Sequence, residues 1–311
     1  MTVAFSNTRA SDAAADTVVR RRPWIPRLTP ARRRSLVGLM FVLPGVAPLC
    51  LFVIYPAFNS LWLSLTDWDL SAPPQFQGIQ NYLDLAANQQ FLHSVLTTAE
   101  FAVGVAIPSA VLAFVVAVLL DAGVRFTAWY LPLLFFPAVL PSVVSAILWG
   151  IMYQGNGVVN NALGTRIGWL TDPTWALPSL IILLVWTNLG YYSVIMLAGV
   201  RGVPREYYEA ARTDGAGWFQ LIRHITLPLV RPALLFILVI ATADSLTMFV
   251  YPYLLTRGGP GDATRMLSEL IYETAFSFTN IGKAAAMAIV LLVAALSIAA
   301  VQFRLLRSSH E

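Results

Sequence analysis

The stretch Glu209–Pro232, EAARTDGAGWFQLIRHITLPLVRP, sets acids, arginines, glycines and prolines between long apolar runs, and how it is read decides the fold. Of the 311 residues 58% are hydrophobic and only 12% charged, too little polar surface for a water-soluble globule of this length. The chain therefore reads as a polytopic membrane protein, and the quoted stretch as a connection between spans.

Outward from it, six segments reach the roughly 20 apolar residues that a membrane helix needs: Leu36–Ala57, Val95–Leu120, Trp129–Met152, Leu177–Val200, Ala233–Leu255 and Ala284–Leu305. Lipid offers backbone groups no partners, and these runs are too long and too evenly apolar for barrel strands. The expected fold is an all-α membrane protein of six transmembrane helices. Residues 1–35 form a basic tail with no fixed structure expected over about its first 25 residues, and 36–311 form the permeation domain, with 201–232 as its main loop.

Basic residues set the orientation. The tail holds eight arginines, and Arg125, the loop arginines Arg201, Arg205, Arg212, Arg223 and Arg231, and Arg304 and Arg307 fall on the same side. Arg166, Arg257, Arg265 and Lys283 fall on the other. The excess places both termini and the 201–232 loop in the cytoplasm. The net charge of +4 is thus a topology signal; no basic module interleaved with aromatics points to nucleic acid. Cys50 stands alone, and His93, His224 and His310 lack the spacing of metal ligands.

Within the loop, Pro204 suits a helix's first turn, REYYEAAR is made of helix formers, and the TDGAG that follows ends the helix near Asp214 and Gly215. A second helix is expected through WFQLIRHI, broken by Pro228, with Pro232 opening the next span. On the first helix Tyr207, Ala210, Ala211 and Asp214 share one face, whose alanines permit close approach. A helix lying on lipid headgroups would favour basic residues, whereas this one carries Glu206 and Glu209. A protein partner fits better.

Glu209-Ala210-Ala211, then Gly215, then Ile225, Leu227 and Pro228 resemble the EAA motif of permease subunits of binding-protein-dependent ABC importers. LPGVAPLCLFVIYPAFNSLWLSLTDWDL (43–70), FQGIQNYLDL (76–85) and LLTRGGPGDAT (254–264) are similar to the carbohydrate-uptake branch, of maltose and glycerol-phosphate type. The resemblance covers most of the chain from Leu43 to Lys283. It implies that the loop is a coupling helix docking in a cleft of an ATPase subunit, with Glu209, Ala210, Ala211, Asp214, Gly215, Ile225, Leu227 and Pro228 as its elements. It also implies a prokaryotic cytoplasmic (inner) membrane location, a second homologous permease forming a heterodimer, two ATPase subunits and an extracellular solute-binding protein.

The residues themselves support this division of labour. The only lysine, Lys283, follows Gly282, but Ala284 comes next and Ser277 stands where a P-loop needs its first glycine. No cofactor is expected in this chain; ATP and magnesium belong to the partner ATPase, and the chain is a transport subunit rather than an enzyme.

A charge inside a span costs roughly 2.5–3.5 kcal/mol on insertion scales, so Asp244, half-way along the fifth segment, points to a water-filled or protein-lined path. On one helical face it is joined by Ala241, Ser245, Met248 and Tyr251. By the resemblance, Ala241, Asp244, Ser245 and Met248 match the sugar-contacting face of maltose-type permeases, and NLGYYS adds Asn188, Gly190, Tyr191 and Ser193. The chain departs from that pattern at Phe249-Val250, where Phe-Asp is common. Against the path stands pairing of Asp244 with a polar group of the second permease.

The alternatives are a permease for another polar solute such as a glycerophosphodiester, or a secondary transporter. The latter would show paired internal repeats and more intramembrane charges than are present. A membrane enzyme would need a nucleophile with its base or a metal-holding acid cluster, and no histidine lies in a span.

Overall fold

The computed structural model describes residues 30–122 and 127–307. The chain divides after Tyr55 into two units. In the first, α1 (Pro30–Leu49) leads into one π-helical turn, Cys50–Ile54. Helix therefore begins ahead of Ser35, where tail was expected; the rest of the tail lies outside the described residues.

From α2 (Tyr55–Leu63) the chain passes through a hairpin of β1 (Thr66–Asp67) and β2 (Gln75–Phe76), antiparallel with Thr66 opposite Phe76, and α3 (Gln80–Ala87) into α4 (Gln89–Asp121). Next come α5 (Thr127–Val139), α6 (Ser142–Met152), α7 (Val158–Leu163) and α8 (Pro173–Arg201). The loop holds α9 (Arg205–Thr213), α10 (Trp218–Leu221), a π turn at Ile222–Thr226 and α11 (Leu227–Leu229). Then follow α12 (Arg231–Leu246), α13 (Val250–Leu255), α14 (Leu267–Tyr272), a π turn at Glu273–Ser277 and α15 (Ile281–Arg307).

Among the described residues four stretches are long and apolar enough to cross a membrane: Met40–Leu63, Gln89–Asp121, Pro173–Arg201 and Ile281–Arg304. Two more arise if each bent pair is one span, Tyr130–Val139 with Ser142–Met152 and Trp218–Leu229 with Arg231–Leu246. The protein is an all-α membrane protein, and on that count has six spans.

Three expectations change. The third span is not one helix but α5 and α6, bent by 102° at Leu140 and Pro141. Proline disfavours the helical region for the residue before it and lacks the N–H that would continue the ladder. The fifth segment stops at Leu246 and restarts at Val250. Pro252 cannot donate to the Met248 carbonyl four residues back, and the Ser268 hydroxyl donates there instead at 2.6 Å. Pro228, third, does not break its helix. A π turn sits just ahead of it, with the Leu227 N–H reaching back five residues to Ile222, so the ring clears the preceding turn. The break falls at Val230, with a 64° bend.

Packing around α4 explains why these helices assemble. Ala106, Ala110, Ala113 and Ala117, spaced alternately four and three, form a buried seam on α4 against Tyr192, Met196 and Leu197 of α8 and Ile237 and Ala241 of α12. Small residues let helix backbones approach where lipid supplies no hydrophobic drive between them. Toward the other end of α4, Phe101 and Val105 pack with Trp149 of α6, Leu180 and Leu183 of α8, and Tyr251.

The connection between α6 and α8 closes on one buried side chain. Asn160 accepts from Thr165 Oγ1, the Ile167 N–H and Trp169 Nε1 at 3.0–3.1 Å and donates to the Ile167 carbonyl at 2.9 Å. Asn81 likewise donates to the Ser64 and Thr66 carbonyls, each at 2.9 Å.

Candidate functional site

Loop 201–232 is shaped by its punctuation. At the end of α9 the Ala216 N–H bonds the Ala211 carbonyl and the Gly215 N–H bonds that of Arg212, with Gly215 at φ +83°. This is a Schellman ending, and the left-handed residue at its centre is the one position a Cβ would strain. Gly217 then caps α10, its N–H bonding Gln220 Oε1 at 2.8 Å.

Tyr208 turns α9's inner face to the bundle, its hydroxyl 3.0 Å from Thr226 Oγ1. None of α9's nine residues is buried. Tyr207, Glu209, Ala210 and Asp214 are exposed, Ala211 half-buried. Of the other expected docking residues, Gly215 and Leu227 are exposed, while Ile225 and Pro228 are half-buried. Ile225 packs on the α4–α8–α12 core.

Two hollows flank this loop. One, of about 760 Å³, is lined by the ends of α4 and α8 and by Tyr208, Glu209, Arg212 and Trp218, and Arg201 reaches Asp121 at 3.7 Å on its wall. The other, of about 360 Å³, lies between Ala211, Asp214, Gly215 and the π-turn residues His224 and Ile225.

The nine residues expected on the solute path divide by burial. Ala241, Ser245 and Ser193 are fully buried, Ser245 bonding its own helix at the Ala241 carbonyl, 2.6 Å away. Tyr251 sits beyond the break in the fifth segment, buried, with its hydroxyl 3.4 Å from Thr187 Oγ1. Gly190 is where α5 crosses α8: an added Cβ would stand 2.0 Å from the Leu134 carbonyl oxygen. These five are all buried in this conformation. Asp244 and Tyr191 are exposed, and Asn188 and Met248 half-buried. The break at Thr247 to Phe249 removes the single face that an unbroken helix would have given.

Two polar partners were not singled out from the sequence. Buried Tyr192 donates its hydroxyl to Asp244 Oδ2 at 3.3 Å, and Gln302 of α15 donates to Thr242 Oγ1 at 3.1 Å. An amide in the apolar sixth segment is a legible signal for the second; no such signal separates Tyr192 from Tyr191.

A further polar cluster lies in the connection after α13. Arg265 bonds Asp262 Oδ1 at 2.7 Å and also pairs with Glu273. Glu269 is fully buried, and neither carboxyl oxygen has a hydrogen-bond partner among the described residues. Burial first and the charge of Glu273 second push its acid up to about 7, with Arg265 opposing. Among the described residues no acid, histidine and cysteine grouping is arranged to hold a metal ion.

Comparison with known proteins places this geometry. Residues 101–309 match the family model described as binding-protein-dependent transport system inner membrane component. The trehalose/maltose transport system permease protein MalF of Thermococcus litoralis is 32% identical over 80% of this chain and 85% of its own. The lactose transport system permease protein LacF of Rhizobium radiobacter is 33% identical over 84% of this chain and 91% of its own. Among solved structures, a chain of a bacterial alginate ABC transporter in complex with an alginate pentasaccharide-bound periplasmic protein superposes with a TM-score of 0.77 at 23% identity, covering 89% of this chain and 96% of that one.

Proposed function

The chain belongs to the family of inner membrane components of binding-protein-dependent transport systems, and from that premise we propose that it is the permease subunit of an ATP-driven ABC importer for a sugar or sugar derivative. It crosses the membrane several times and supplies part of the translocation path. The maltose and lactose systems of its relatives support the substrate class.

The observation that carries the coupling role is α9, a helix with no buried residue, held in place by Tyr208 and ended at a left-handed glycine. Such a surface, flanked by two hollows, suits insertion of a partner's side chains. The partner is an ATPase subunit, two of which hydrolyse ATP with magnesium while this chain binds no nucleotide. Both termini and the loop face the cytoplasm, an orientation favoured by the side on which sixteen of the twenty basic residues fall. A second, homologous permease completes the path as a heterodimer, and a solute-binding protein delivers the sugar from outside; the alginate ABC transporter of similar fold forms a complex with a pentasaccharide-bound periplasmic protein. Asp244, Tyr191, Asn188 and Met248, the expected path residues that are not buried, line the path.

The test is a pair of substitutions in cells that depend on this chain for sugar uptake. Glu209→Lys and Gly215→Val should abolish uptake while membrane insertion persists. Normal uptake with substrate-stimulated ATP hydrolysis in both variants would overturn the coupling role.

A further inference from the structure

Asp244 is exposed on α12, yet one of its carboxyl oxygens is held from behind by a residue that no solvent reaches. Tyr192 lies in the α4–α8–α12 core among Ala106, Met196 and Ala241. Its backbone position is fixed from the other side as well, because two residues earlier α5 crosses α8 in contact with Gly190. A phenol locked in this way directs its hydroxyl along one line, and that line ends at Asp244 Oδ2. Among the described residues the hydroxyl makes no other hydrogen bond and no side chain or backbone group donates to Oδ1.

We infer that Tyr192 is a positioning residue: it orients the Asp244 carboxylate so that Oδ1 is presented to a solute hydroxyl in the path. Two facts separate this from ordinary helix-to-helix glue. A hydrogen bond that only joins two helices gains most where both groups are shielded from other partners, whereas here only the donor is buried and the acceptor opens outward. The 3.3 Å separation is also longer than the usual 2.7–2.8 Å between oxygens, so the tyrosine restrains the carboxylate's direction without closing the site. Asp244 still has room to follow a bound hydroxyl. A site built to bond hydroxyls discriminates through them, so the orientation of the acceptor decides which sugar stereochemistry is carried.

This inference rests on the proposed sugar path, and the experiment separates the two. In the assembled importer, uptake of radiolabelled maltose, lactose and trehalose is measured for wild type, Tyr192→Phe, Asp244→Ala and the double variant, with complex yield from detergent pull-down alongside. Phenylalanine keeps the ring in the core and removes only the hydroxyl. Tyr192→Phe should lower uptake of the preferred sugar on the order of tenfold, the worth of one hydrogen bond to a charged group. It should also change the ratio between sugars, leave complex yield unchanged, and add nothing in the Asp244→Ala background.

Multiplying losses in the double variant, equal losses for every sugar, or a fall in complex yield would each make Tyr192 a packing residue. Normal uptake by Tyr192→Phe beside impaired Asp244→Ala overturns the positioning role and leaves the path intact. Normal uptake by Asp244→Ala, or no wild-type uptake of any of the three sugars, overturns the path reading and this inference together.

Discussion

Loop 201–232 and the connection from Thr256 to Asn280 are both polar, both punctuated by glycine and proline, and separated only by α12 and α13. They are built in opposite ways. No residue of α9 is buried, and Tyr207, Glu209, Ala210 and Asp214 reach out from the chain. The later connection turns inward: Thr264, Met266, Leu267, Glu269 and Leu270 are all buried, and left-handed residues at Arg257, Gly258, Gly261 and Asp262 reverse the chain. Thr264 Oγ1 bonds both Thr256 Oγ1 and the Gly259 carbonyl at 2.7 Å, and the Leu267 N–H reaches Thr98 on α4 at 2.9 Å. One connection ties most of its polar groups into the chain, with buried Glu269 as the exception, and the other leaves its surface to be completed from outside. Polar composition does not distinguish them; where the hydrogen bonds close does.

If that contrast is right, substitutions should unfold one region and uncouple the other. The largest effect is expected for Arg265→Ala, which leaves Glu273 and buried Glu269 without their cation. Arg265 and Glu273 are half-buried, so breaking their pair from one side should cost about 3 kcal/mol, the lower end of what a fully buried pair costs, read as a fall in the thermal midpoint of the protein in detergent. An unchanged midpoint would erase the distinction between the two connections. Asn160→Ala extends the comparison to the α6–α8 connection. It strips partners from Thr165, Ile167 and Trp169, and should cost on the order of 3 kcal/mol by the same measurement.

Next comes pH. The folded Glu269 acid is raised to about 7 from its ordinary 4.5, so the unfolded chain loses its proton first as pH rises. The stabilisation is therefore complete below about 4.5 and is lost as pH climbs through about 7. Glu269→Gln should flatten the pH dependence of the midpoint between pH 5 and 8 and raise the midpoint at pH 8. An equally steep profile in the variant would mean that another group titrates there.

In the outward-facing loop the effects on stability shrink while those on uptake do not. Gly215→Val forces a side chain into the left-handed region, about 1–2 kcal/mol, and Gly215→Asn, which tolerates that region better, should retain more uptake. Glu209→Lys changes an exposed side chain and should move the midpoint by less than about 0.5 kcal/mol, yet stop uptake. A Glu209→Lys protein that unfolds instead would place α9 with the inward-built connection.

Much of this contrast was visible in the sequence. Acids, alanines and a Thr-Asp-Gly stop mark α9 and its end, whereas α8 starts at Pro173, ahead of the expected Leu177, capped by the Asp172 side chain accepting the Thr174 N–H at 2.8 Å. Pro141 and Pro252 were legible as breakers and were read through, because the apolar runs around them were long enough to span. Ser268, which takes the carbonyl that Pro252 leaves without a donor, lies sixteen residues further on and could not have been paired with it in advance.

Hydropathy and charge by themselves determined that this chain is a six-segment membrane protein with one exposed, punctuated loop, because those properties depend on local composition and on the roughly 20 residues a bilayer demands. Tertiary structure alone decided which side of each span is buried. Lipid and protein interior are both apolar, so a membrane helix carries little periodic signal of its inward face, and the faces were set by contact: Ala241 and Ser245 against α4 and α8, Gly190 under α5, Tyr192 behind Asp244. The same holds for Glu269, whose buried place follows from the packing of α14 on α4 and α15 rather than from its neighbours in sequence.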